Sequence, residues 1–87
     1  MSANKSLARE TYEAAQELLR RVIATEATIA AELEAARAAY FAEPTAMNHA
    51  RCYGQTLRHE AAVESVKNAR EQVERYRLAC EAEGEGP

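Results

Sequence analysis

Apolar positions in the first half of the chain recur alternately three and four residues apart. No proline or glycine interrupts this spacing between Ser6 and Ala42. The apolar stripe consists of Tyr12, Ala15, Leu19, Val22, Ile29, Leu33, Ala36 and Tyr40. Because heptad spacing places such side chains on one face of a helix, the pattern predicts a first helix over about residues 6–42. Ser6 is suited to cap its N-terminus, since its hydroxyl can accept a backbone N–H.

Glu26 interrupts this stripe, and a carboxylate at a packing position is costly unless it is hydrated or paired. We consider two explanations: the stripe is open to water there, or Glu26 meets an arginine or lysine of a partner chain and fixes the register. Leu18, Ile23 and Ala30 flank the stripe. The apolar face is therefore wide enough to contact more than one helix.

The segment Glu43-Pro44-Thr45 separates the first pattern from a second one. Pro44 disfavours helical geometry at the residue before it but is accepted in the first turn of a new helix. We therefore predict a turn at residues 43–45 and a second helix over about residues 45–82. A short connection between long helices predicts an all-α fold, an antiparallel two-helix hairpin forming one domain over residues 1–87.

The apolar stripe of the second helix shifts by one residue midway. Its members are Met47, Ala50, Gly54, Leu57 and Ala61, followed by Ala62, Val66, Ala69, Val73, Tyr76 and Cys80. The shift predicts a straighter helix than a strict heptad. Gly54 either weakens the helix or admits another backbone at close range. Gly84 predicts the helix stop, and residues 83–87 are expected to form a flexible acidic tail.

Composition indicates a thin core. Of 87 residues, 20 are alanine, which favours helix but fills little volume. A chain this small needs disulfides, a metal, very good helix packing or a partner to supply the missing burial. We expect a partner chain or a second copy to complete a bundle with the hairpin.

The two cysteines do not supply a disulfide within one chain. Cys52 and Cys80 lie 28 residues apart on the predicted second helix, about 42 Å along its axis, whereas a disulfide needs Cα atoms within about 7 Å. We expect both to be small packing residues. Thiols that cannot bridge, together with the lack of a secretory apolar segment, favour a cytoplasmic location, and no run is apolar enough to span a membrane.

The sequence also shows no pattern typical of a catalytic, metal-binding or cofactor-binding site. His49 and His59 lie about 15 Å apart along one helix and are expected to face solvent. Cys52 is three residues from His49, but no second pair completes a zinc site. A hairpin has no enclosed cleft for a nucleophile, and there is no glycine-rich phosphate loop. We therefore predict no enzyme activity, no metal and no cofactor.

Charge gives no general attraction to nucleic acid or membranes. The net charge is −3, and both signs are spread evenly along the chain. Three arginines around Tyr76 resemble the stacking sites of single-strand binders. Because Glu71 and Glu74 lie among Arg70, Arg75 and Arg77, a solvated face with local ion pairs is the better interpretation. A small nucleic-acid regulator stays as an alternative of another class.

The second helix resembles the E-component family of type III secretion needle chaperones, over less than half of the chain. The residues that carry the resemblance are Glu43-Pro44, Tyr53, Leu57, Ala61-Ala62, Val66, Ala69, Val73 and Arg75-Tyr76. The resemblance implies an antiparallel hairpin that pairs with a tetratricopeptide-like G-component. Together these two hold the needle subunit in the cytoplasm until export.

We therefore expect a non-enzymatic interaction module, an adaptor or co-chaperone that packs an apolar helix face against another protein chain. The alternative is a self-associating homodimeric four-helix bundle acting as a regulator or as a phage-type inhibitor of a host protein. In either case the predicted partner-binding residues are Tyr12, Leu19, Val22, Ile29, Leu33, Tyr40, Leu57, Val66, Val73 and Tyr76.

Overall fold

The computed structural model describes residues 6–84 as two helices packed along their length. Helix α1 spans Leu7–Ala42 and helix α2 spans Ala46–Ala82. Ala8 contacts Cys80 at one end of the molecule, and Tyr40 contacts His49 at the other, so the helices are antiparallel. The hairpin measures 59 × 21 × 13 Å. The predicted all-α hairpin is confirmed.

The turn between the helices is closed by side-chain hydrogen bonds. The Thr45 hydroxyl oxygen accepts the backbone N–H of Asn48 at 3.1 Å and caps α2. The Asn48 side-chain amide donates to the carbonyl oxygens of Glu43 at 2.8 Å and Ala39 at 3.4 Å. One side chain therefore ties the start of α2 to the end of α1.

The outer ends of the helices have local caps as well. The Ser6 hydroxyl oxygen accepts the backbone N–H of Arg9 at 3.0 Å. Beyond Ala82, Gly84 has a φ of +76° and donates its backbone N–H to a carbonyl of the last turn. Glycine adopts this left-handed geometry without strain, which explains the helix stop. The rest of the predicted acidic tail, residues 85–87, lies outside the described residues.

The core lies between the helices and is thin. Every member of the predicted α1 stripe is buried or half-buried, because α2 covers it. The buried apolar side chains are Tyr12, Ala15, Leu33, Ala36, Ala62, Ala69 and Cys80. Four of these seven are alanines, so the core contains few large side chains.

Helix α2 meets α1 through a single heptad register. Its interhelical face comprises Asn48, Cys52, Gln55, His59, Ala62, Val66, Ala69, Val73, Tyr76 and Cys80, all buried or half-buried. The predicted one-residue shift is therefore wrong, and Met47, Ala50, Gly54, Leu57 and Ala61 are exposed. The physical reason is that two packed helices share one register, and polar side chains in that register are tolerated where they find partners.

The cysteines lie at different depths. Cys80 is fully buried, and its Sγ donates a hydrogen bond to the Ala8 carbonyl oxygen at 3.2 Å. Cys52 is half-buried on the same interhelical face. Within residues 6–84, neither helix combines the length and apolarity that crossing a membrane requires.

Candidate interaction groove

A partly open groove of about 340 Å³ lies between the helices midway along the hairpin. Its lining residues are Val22, Thr25, Ile29, Arg58, Ala61, Ala62 and Ser65. Val22 and Ile29 were predicted to bind a partner, and both line the groove while remaining half-buried. The groove is therefore built on the middle of the α1 stripe.

Small side chains on α2 create the groove. Ala61, Ala62 and Ser65 lie opposite Val22 and Ile29, and none of these three reaches far enough to cover two β-branched side chains. Ala62 is buried between the helices, whereas Ala61 and Ser65 are exposed. Another molecule that covers the apolar surface left open by α2 would be stabilised there, because burial of apolar surface lowers the free energy by about 25 cal/mol per Å².

The groove continues along both helices at heptad-related positions. Residues seven apart return to nearly the same side of a helix. We define the groove face as the lining residues and their heptad equivalents within the two helices, Leu7–Ala42 and Ala46–Ala82. On α1 these equivalents include Leu18, which is 51% exposed, and Glu32. On α2 they include Arg51, Gly54 and Arg75, all of which are exposed.

The other predicted partner-binding residues lie elsewhere. Leu57 is 48% exposed on the outer surface of α2, because it is outside the interhelical register. Tyr12 and Leu33 are buried between the helices. Half-buried positions between the helices are occupied by Leu19, Tyr40, Val66, Val73 and Tyr76. These seven interhelical residues serve the hairpin's own packing.

Glu26 and His59 meet across the helices next to the groove. Their Oε2 and Nε2 atoms are 2.7 Å apart, and the side chains are 29% and 28% exposed. Glu26 therefore has a partner within its own chain, which neither explanation from the sequence included. His59 does not face solvent as predicted, because the carboxylate holds its ring at the interhelical face. His49 is exposed, and its ring packs edge-on against Tyr40 with centroids 5.4 Å apart.

An ion pair crosses one rim of the groove. Arg58 Nη1 lies 3.2 Å from Glu32 Oε1, and both side chains are about half exposed. Because water screens such a pair, its contribution to stability is at most about 1 kcal/mol. The pair does hold the Arg58 side chain at the groove.

Ion pairs also occupy the C-terminal part of α2. Arg77 binds Glu74, with Nε 3.1 Å from Oε1, and also binds Glu81. The hydrogen bond from Arg77 lowers the pKa of Glu74, and the same bond raises the pKa of Arg77. The predicted local ion pairing is thus present at Arg77. Tyr76, which lies between Arg75 and Arg77 in the sequence, is half-buried, so its ring is not fully available for stacking on a base.

In the described part of the chain, no three His, Cys, Asp or Glu side chains come together as a metal site would need.

Gly54 has open space around it. A Cβ atom placed on Gly54 would meet nothing within 4 Å. Close approach of α1 therefore does not explain this glycine, which lies open on the groove face.

No family model, curated protein or solved structure matches this chain. Several groove residues carry no apolar-stripe signal, namely Thr25, Arg58 and Ser65. They could have been found only by placing both helices in one common register.

Proposed function

We propose that this protein is a non-enzymatic interaction module, an adaptor or co-chaperone whose groove receives a helix of a partner protein. The observation that carries the proposal is the groove itself, in which Val22 and Ile29 remain half-buried opposite small side chains. A third helix laid along the hairpin would cover both residues and complete a small bundle. Packing of an amphipathic helix into an apolar groove is a common mode of recognition.

The thin core supports the same proposal. Four of the seven buried residues are alanines, and Leu18 is half exposed beside the groove. A hairpin of this kind has little burial of its own, so a bound helix would add directly to its stability. The resemblance of α2 to the needle co-chaperones makes handling of a secretion needle subunit in the cytoplasm the specific form of the proposal.

The test is to fill the groove without adding charge. Ala61 lines the groove and is exposed, so Ala61→Tyr should occupy the space while leaving the hairpin folded. Ala31→Tyr is the matched control, because Ala31 is exposed on α1 outside the groove face. Circular dichroism should give the same helicity for both variants.

Affinity purification from the native cell, followed by mass spectrometry, gives the result. A protein partner should be retained by the wild type and by Ala31→Tyr and lost from Ala61→Tyr. Retention of the same partners by both variants would contradict the proposal. Light scattering on the purified chain tests the alternative, since a stable homodimer disrupted by Ala61→Tyr would mean that the groove binds a second copy.

A further inference from the structure

Charged residues on the groove face of α2 are all arginines. Arg58 lines the groove, Arg51 lies seven residues before it, and Arg75 lies fourteen residues after Ala61. On α1 the groove face carries one charge, Glu32, which is paired with Arg58. Three arginines and one glutamate make this face net positive, although the whole chain has a net charge of −3.

Two of these arginines have no carboxylate partner within residues 6–84. Arg51 and Arg75 are exposed, and no Asp or Glu of the described chain lies within ion-pair distance of either. Most other arginines are paired with a glutamate three or four residues away. Arg51 has no carboxylate at those spacings, where its neighbours are Met47, Asn48, Gly54 and Gln55. Arg75 does have Glu71 four residues before it, but the two side chains are not within ion-pair distance. The positive charge of this face is therefore available to another molecule.

We propose that the partner segment is an acidic amphipathic helix, with apolar side chains in the groove and Asp or Glu side chains against Arg51 and Arg75. This inference rests on the proposed function and adds the chemistry of the partner. Arg51 and Arg75 are 24 residues apart on α2, about 36 Å along its axis. A partner helix of about six to seven turns spans that distance and contacts both arginines.

The same charges argue against a second copy in the groove. A two-fold interface brings identical patches together. Two groove faces would place arginines against arginines, and like charges across an interface are unfavourable. The phosphates of a nucleic acid would pair with the arginines, but they would leave the apolar side chains of Val22 and Ile29 exposed to water.

The probe is a 24-residue helical peptide with leucine along one stripe and glutamate on both flanks. A matched peptide carries lysine in place of glutamate. In fluorescence anisotropy with the full chain, the acidic peptide should bind at least about ten-fold more tightly, and raising the salt concentration should reduce this difference. Equal binding of both peptides, or tighter binding of the lysine peptide, would overturn the inference.

Charge reversal assigns the effect to the groove face. Arg51→Glu combined with Arg75→Glu should weaken acidic-peptide binding about ten-fold or more. The control is Lys67→Glu combined with Arg70→Glu, which makes the same charge change at exposed α2 positions outside the groove face. Equal losses in both double variants would mean that net charge alone attracts the peptide, and the inference would be wrong.

Two further arms separate the possible failures. If Ala61→Tyr removes the cellular partner while the groove-face reversal leaves it bound, the proposed function stands and the acidic helix is wrong. If the wild-type chain instead binds duplex DNA, single-stranded RNA or phosphatidylserine vesicles, and the groove-face reversal abolishes that binding, the ligand is not a protein helix. Acidic-peptide binding that both Ala61→Tyr and the groove-face reversal abolish supports both proposals.

Discussion

The terminal half of the hairpin and the half beside the turn are held by different interactions. In the terminal half, α2 presents small and apolar side chains to α1, from Ala62 to Cys80. In the turn half, α2 presents Asn48, Gln55 and His59. The Asn48 amide donates to the turn backbone, the Gln55 amide oxygen accepts from Arg58, and His59 contacts Glu26. In this half α1 contributes the buried Leu33.

This difference explains why α2 exposes large apolar side chains in its turn half. Helix α2 carries Met47, Tyr53 and Leu57 in its turn half, and all three are exposed. They cannot turn inward, because the register that buries Ala62 and Ala69 extends through the whole helix. The terminal half of α2 therefore supplies apolar residues to the fold while exposing two others, Val63 and Leu78, whereas the turn half leaves all its large apolar side chains on the surface.

The largest effect is expected from removing the apolar anchor of the turn half. Leu33 is 4% exposed, so Leu33→Ala should reduce the free energy of unfolding by about 2–4 kcal/mol. Leu57→Ala is the matched change on the exposed side and should cost less than about 0.5 kcal/mol. Urea unfolding followed by circular dichroism measures both. Similar losses in the two variants would mean that Leu57 is also a packing residue of the hairpin.

A smaller effect is expected from the Glu26–His59 pair. Both side chains are less than one-third exposed, and their polar atoms are 2.7 Å apart. A double-mutant cycle with Glu26→Ala and His59→Ala should give a coupling energy of about 0.5–2 kcal/mol. The more exposed Glu32–Arg58 pair, treated in the same way, should give less than about 0.5 kcal/mol. A reversed order would show that burial does not decide the strength of these contacts.

The smallest effect concerns acid pH in the terminal half. Arg77 lowers the pKa of Glu74 below its ordinary value of 4.5. A carboxylate with a lowered pKa in the folded state adds stability above pH 4.5, and this contribution is lost as the pH falls further. Arg77→Gln should therefore lose less thermal stability than the wild type between pH 5 and about pH 3.

Thermal unfolding at both pH values, in low salt and in 1 M salt, measures this difference. High salt should reduce it, because both groups are on the surface. Arg70→Gln is the control, since Arg70 has no ion-pair partner among the described residues. Equal acid sensitivity in the wild type and both variants would contradict the assignment to Arg77.

Sequence reasoning identified the features that depend on neighbouring residues. The α1 stripe, the break at Pro44 and the stop at Gly84 follow from local spacing and backbone preference. The register of α2 did not follow, because its turn half carries a more apolar pattern on the outer side than on the inner one. Recognising His59 as an inward residue requires Glu26, which is 33 residues away and on the other helix.

The candidate site was predicted in part for the same reason. Val22 and Ile29 belong to an apolar stripe and could be identified from their spacing. Arg58 and Ser65 could not be identified in this way, because a groove forms where side chains are too small to fill the space between two helices. Only the paired register shows that small residues of α2 lie opposite the middle of α1.

The antiparallel pairing also sets the order in which the molecule opens. Contacts across the helices join residues 26 apart at Glu32–Arg58, 33 apart at Glu26–His59 and 72 apart at Ala8–Cys80. Because closing a longer loop costs more entropy, contacts near the turn form first and those at the termini last. A force that pulls the chain ends apart would separate the helices in the reverse order, one contact after another. A helix bound midway, at the groove, would stop this separation before it reached the turn.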